Sequence, residues 1–139
     1  MKGATRRFLA IGAVSLGAVA TAVAGATPAA AWSPGTQHWG NVTWYNGTGV
    51  TRCGGSHNFN TELVVSVSTR VFANGSACGR KMLVMGNADG SWSGGAVSVT
   101  VVDECPRCQP DQIDLSTPAF QQLRPLTTTV FSTTWIEGS

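Results

Sequence analysis

After its first 31 residues the chain has no second long apolar run, no internal repeat and no low-complexity linker. Nothing beyond that point is therefore apolar enough over a sufficient length to cross a bilayer as a helix. Histidine is nearly missing: His38 and His57 are the only two, and both fall in stretches read as loops. No glycine loop stands between a strand and a helix, which excludes the usual phosphate cradles. Charge is scarce as well, at 12% of residues. All seven acids follow residue 31, whereas Lys2, Arg6 and Arg7 precede it, so the remainder carries six basic and seven acidic residues, a net charge of −1. Nucleic-acid binding loses its main electrostatic support.

What is present begins with an export signal. Lys2, Arg6 and Arg7 form a basic region, Phe8 to Val23 an apolar one rich in Ala, Gly and Val, and Ala29-Ala30-Ala31 a small-residue cleavage site. Residues 1–31 read as a signal peptide that is removed, in preference to a membrane anchor. Arg6-Arg7-Phe8-Leu9 hints at twin-arginine export, though the spacing is loose and general secretion is the expectation. About 108 residues remain, enough for one domain with one modest core.

Four cysteines in a secreted chain of this size favour two disulfides. Cys105-x-x-Cys108 has zinc-ligand spacing, but Cys53 and Cys78 form no second C-x-x-C, and export favours oxidation. Oxidation would also leave no thiol for nucleophilic catalysis. No metal and no cofactor is expected. Of the three possible pairings, spacing alone selects none.

Residues 32–39 contain Pro34-Gly35, lack periodicity and read as a flexible N-terminal arm before a domain over 40–139. Strands are expected over Gly40 to Asn46, Leu63 to Val67, Lys81 to Met85, Ala96 to Val102 and Thr128 to Ile136. The fourth of these, Ala96 to Val102, alternates clearly: Val97, Val99 and Val101 share one face, Ser98 and Thr100 the other. Gly47 to Asn60 reads as a polar loop, Ser68 to Phe72 as one helical turn, and Asn87 to Gly95 as a hairpin connection. Ser116-Thr117-Pro118 opens a short helix over Ala119 to Leu123, with Ser116 as N-cap. These elements suit an all-β, closed six-stranded barrel with Val65, Val67, Leu83, Val97, Val99, Val101 and Phe131 pointing inward, and with Trp135 in the core.

The run Val101-Val102-Asp103-Glu104-Cys105-Pro106-Arg107-Cys108, followed by Ile113-Asp114-Leu115-Ser116-Thr117-Pro118-Ala119-Phe120, resembles the double-psi β-barrel proteins: expansins, barwin-like proteins, the rare lipoprotein A group and small secreted microbial relatives. The resemblance implies a six-stranded double-psi β-barrel and the pairs Cys53–Cys78 and Cys105–Cys108. It also implies a groove in which Thr43 and Tyr45 of the first strand face Asp103 and Asp114, with Trp44 beside them. An acid in a partly desolvated groove keeps its proton and can protonate a glycosidic oxygen, while a second carboxylate steers water or stabilises positive charge. The same acids serve equally well as backbone anchors. Of Trp44 and Tyr45, strand alternation lets only one face inward. Trp39 and Trp92 are further candidates for stacking on sugars or anchoring a partner.

Two functions follow from the resemblance. The first is a secreted, monomeric, non-catalytic inhibitor of papain-like cysteine proteases, with Gly47 to His57 and Asn87 to Gly95 as candidate contact loops. The second is a wall-active protein that binds, loosens or cleaves cell-wall polysaccharide through Asp103 and Asp114. Three Asn-x-Ser/Thr sequons begin at Asn41, Asn46 and Asn74 and matter only in a glycosylating host.

Overall fold

In the computed structural model, residues 31–139 are described; the signal peptide expected over 1–31 lies outside them but for its last residue. Eight strands form, β1 (Gln37–Tyr45), β2 (Thr48–Val50), β3 (Ser56–Asn58), β4 (Val64–Ser68), β5 (Lys81–Met85), β6 (Ala96–Cys105), β7 (Ile113–Ser116) and β8 (Phe131–Glu137). Two short helices, α1 (Thr69–Phe72) and α2 (Thr117–Gln121), follow β4 and β7. Six strands close into a barrel in the order β1-β7-β4-β6-β5-β8, and β2 and β3 make a separate two-stranded ribbon. The β1–β7 and β4–β6 pairs are parallel and the other barrel pairs antiparallel. The six-stranded double-psi barrel is the expected fold.

Alternation fills the interior. Val97, Val99 and Val101 of β6 and Val65 and Val67 of β4 are buried, together with Trp135, Phe120, Ile113 and Leu115. Phe131 is only partly buried but packs against this core. Leu83 is a correction: Met82 and Val84 fill the interior from β5, and Leu83 lies between them on the outer face. An apolar run such as Lys-Met-Leu-Val-Met announces a strand but not its phase, and a shift of one residue turns every side chain over.

β7 was not anticipated as a strand. It is the sixth stave, wedged between β1 and β4, with Ile113 and Leu115 inward and Asp114 outward. Ser116 stands at the N-cap of α2 but makes no capping bond there; its Oγ accepts from the Val64 backbone N–H at 3.2 Å instead. The working cap is Ser68, whose side chain accepts from Val71 N–H at the start of α1.

The arm expected over 32–39 is in part strand. Gln37, His38 and Trp39 pair with Ile136, Trp135 and Thr134 of β8. Trp32 donates from Nε1 to the Gly138 carbonyl at 2.7 Å, and Gly35 N–H donates to the Glu137 carbonyl at 2.8 Å. The His38 ring stacks on Trp135 at a centroid distance of 3.8 Å, with Nδ1 3.1 Å from Asp111 and Nε2 2.7 Å from Glu137. His38 is thus a structural residue in a strand rather than a loop residue.

Candidate functional site

One row of side chains crosses four neighbouring strands. Thr43 of β1 pairs with Asp114 of β7, Asp114 with Ser66 of β4, and Ser66 with Asp103 of β6. With adjacent strands about 4.8 Å apart, the two acids stand roughly 10 Å apart at their Cα atoms, with Ser66 between them. Asp114, Ser66 and Asp103 line an open groove of 260 Å³ together with Tyr45, Glu104 and the Cys105-Pro106-Arg107 turn.

A bulge aims Asp103 into this groove. The β4–β6 register runs Val65 to Val101 and then Ser66 to Asp103, so Val102 is the extra residue. Without it, the alternation that sends Val97, Val99 and Val101 inward would send Asp103 inward too. β-bulges commonly re-aim a side chain in this way beside functional sites. Val102 itself packs with Phe59 and Val64 in a small cluster outside the main core.

The two acids sit in different surroundings. Asp114 Oδ1 accepts from the Thr43 hydroxyl at 2.9 Å, and Gln112 Nε2 reaches that hydroxyl at 3.5 Å. Burial pushes the Asp114 pKa up, because a carboxylate there is stripped of water, and the Thr43 hydrogen bond only partly offsets this. Asp114 is therefore an acid that keeps its proton to higher pH than usual, the property a general acid requires. Asp103 accepts the Arg52 backbone N–H at 2.8 Å and ties the segment leading into Cys53 to the end of β6. That is the backbone-anchoring role, compatible with the carboxylate also bordering the groove.

Tyr45 is exposed and forms a groove wall, with its ring edge-on to Phe59 at 5.2 Å. Trp44 does not belong to the groove: it packs against the core and donates from Nε1 to the Leu126 carbonyl at 3.2 Å. Of this adjacent pair the tryptophan points inward, as alternation requires. Ser66 was missed by sequence reasoning. Its signal was present in Val-Val-Ser-Val-Ser, where a hydroxyl interrupts an apolar run. Trp39 and Trp92 are both exposed, away from the acid row.

All four cysteines are oxidised, as Cys53–Cys78 and Cys105–Cys108. The first bridge ties the ribbon side of the barrel to the turn after α1, and the second closes the turn at the groove rim. Among the described residues no cluster of three or more His, Cys, Asp or Glu could hold a metal ion.

Comparisons with known proteins agree with this architecture. A family model described as lytic transglycolase matches residues 64–133, from β4 into β8. A papain inhibitor of Streptomyces mobaraensis is 30% identical over 121 residues, covering 86% of this chain and 83% of that protein. Putative ripening-related protein 7 of Oryza sativa subsp. japonica is 35% identical over 85 residues, 56% of this chain and 52% of that one. Among solved structures, a Streptomyces papain inhibitor superposes with a TM-score of 0.64 at 26% identity, covering 76% of this chain and 97% of the inhibitor. An expansin of Clavibacter michiganensis superposes at 0.62 with 25% identity, covering 73% of this chain and 50% of the expansin. The chain thus spans about half the length of the ripening-related protein and of the expansin. Closed barrel, matched acid-bearing strands and a similarity running along most of the papain inhibitor lead to one conclusion: the chain belongs to the double-psi β-barrel family that the lytic transglycolase model describes.

Proposed function

We propose that this protein is a secreted, monomeric, non-catalytic inhibitor of papain-like cysteine proteases, exported by way of a signal peptide over residues 1–31. The observation that carries this reading is the extent of the likeness to the papain inhibitors, which runs along 83% of one in sequence and 97% of one in structure. The physical design suits the task. A barrel braced by two disulfides presents surfaces that lose little conformational freedom on binding, so less of the contact energy is spent on ordering. Two disulfides also fit export into an oxidising compartment.

The second reading is a glycan-directed protein of the cell wall, favoured by the Thr43–Asp114–Ser66–Asp103 row and by the raised pKa of Asp114. Its chemistry would use Asp114 as general acid and Asp103 as the second carboxylate. One paired assay separates the two: the purified oxidised protein against papain, and against peptidoglycan and cellulose, each with wild type and Asp114→Asn. Inhibition of papain that survives the substitution, with no glycan fragments from wild type, supports the inhibitor. Glycan release by wild type that disappears in Asp114→Asn overturns it.

A further inference from the structure

Outside the barrel, the β2–β3 ribbon presents a short extended segment, Thr48-Gly49-Val50, in which all three residues are exposed. Val50 is 82% exposed, more than any other large hydrophobic residue among those described. Within the ribbon β2 pairs with β3 and with no other strand, so its second edge is open. Gly49 has nothing within 4 Å of where a Cβ would stand, so the backbone there can be approached closely. An apolar side chain this exposed gains nothing for folding, because it is removed from water by no other part of the fold.

Both ends of the segment are fastened. Before it, Gly47 N–H donates to Asn60 Oδ1 at 3.2 Å and the Gly47 carbonyl accepts from Phe59 N–H at 2.8 Å. After it, Thr51 N–H donates to the Gly55 carbonyl at 3.1 Å, Arg52 N–H to Asp103, and Cys53 N–H to the Val102 carbonyl at 3.1 Å. The Cys53–Cys78 disulfide then locks the turn to the barrel. Thr51 and Phe59, which bracket the ribbon, are buried. The connection over 87–95 is held differently, by Asn87, whose Nδ2 donates to Ser91 and Ser93 and whose carbonyl accepts from Thr133 Oγ1 of β8 at 2.9 Å, without a strand ladder or a disulfide of its own.

A peptide fixed in extended form, with an open edge, one apolar side chain and both ends held, has the form of a chain that another protein binds by adding it to a sheet edge or cleft. We infer that Thr48-Gly49-Val50 is the segment that occupies the protease cleft, Val50 filling an apolar subsite there. This rests on the inhibitor reading above. Preorganisation does two things for the partner complex: the segment enters already ordered, and a backbone cut within it would leave both new ends attached to the barrel. The family match begins at residue 64, so the ribbon precedes the part shared with the lytic transglycolase family.

The test compares papain inhibition by wild type, Val50→Asp and Trp92→Ala, with thermal melts of all three. A carboxylate at residue 50 would have to be desolvated in the cleft, so Val50→Asp raises the inhibition constant at least roughly tenfold. Trp92→Ala, on the other exposed connection, leaves it within about twofold of wild type. Melting temperatures stay together, since neither side chain is buried in the fold. Inhibition by Val50→Asp equal to that of wild type overturns this assignment while the inhibitor reading stands, as does loss of inhibition confined to Trp92→Ala. Wild type inactive against papain removes both.

Discussion

The two disulfides should differ in what they contribute, and the difference follows from the chain length each one closes. Cys53 and Cys78 are 25 residues apart, Cys105 and Cys108 only 3. Chain-entropy arithmetic assigns about 3.5 kcal/mol to the long closure and about 1.6 kcal/mol to the short one. The surroundings widen the gap, because Cys53 and Cys78 pack against the hydrophobic core whereas Cys105 borders the open groove. Replacing each pair by alanines avoids leaving an unpaired thiol. Cys53→Ala/Cys78→Ala should then lower the melting temperature by about 15 °C, and Cys105→Ala/Cys108→Ala by about 7 °C, at roughly 4–5 °C per kcal/mol for a domain of this size. Urea unfolding of the same proteins gives the free energies directly. Equal losses, or a larger loss from the short bridge, would refute the reasoning and show that strain or packing, not loop closure, sets each bridge's worth.

Asp114→Asn tests the partly buried acid of the groove. Because the folded state raises its pKa, the native protein binds this proton more tightly than the unfolded chain, and stability falls as pH rises from the ordinary carboxylate range through the raised value. The variant lacks that loss, so its urea midpoint should gain on wild type as pH rises through and above the ordinary carboxylate range; a gap that stays constant with pH sinks the explanation. Gly40→Ala tests the packing of the turn before β7: a Cβ would stand 2.0 Å from the Asp111 carbonyl oxygen. That oxygen also accepts from Trp135 Nε1 at 2.9 Å, so the turn cannot move without cost, and the variant should lose ~1–3 kcal/mol. A melting temperature matching wild type would show that the turn yields freely.

The groove was legible because a strand, an acid, a cysteine turn, a second acid and a helix follow one another over residues 101–120, and Asp103, Asp114, Thr43 and Tyr45 do converge. Ser66 was not legible. It lies on a different strand, and only the pairing of β4 with both β6 and β7 places it between the acids. β7 escaped notice although Ile113-Asp114-Leu115-Ser116 alternates, because four residues between a proline turn and a helix read equally well as a lead-in to the helix. His38 was hidden for a similar reason: its partners Asp111 and Glu137 are 73 and 99 residues away in the chain.

By itself the sequence determined the period of the strands, the even cysteine count and the near-neutral charge of residues 32–139. Those are local or compositional properties, and hydrophobic alternation reads them without knowledge of neighbours. Tertiary structure decided phase and partnership. It chose Met82 and Val84 over Leu83 for the interior, joined Cys53 to Cys78, and through the bulge at Val102 turned Asp103 from the core to the groove. Each of those outcomes depends on which strand lies alongside which and in what register. Register is fixed by contacts between residues distant in sequence, and a pattern of period two is the same before and after a slip of one residue except for the face it presents.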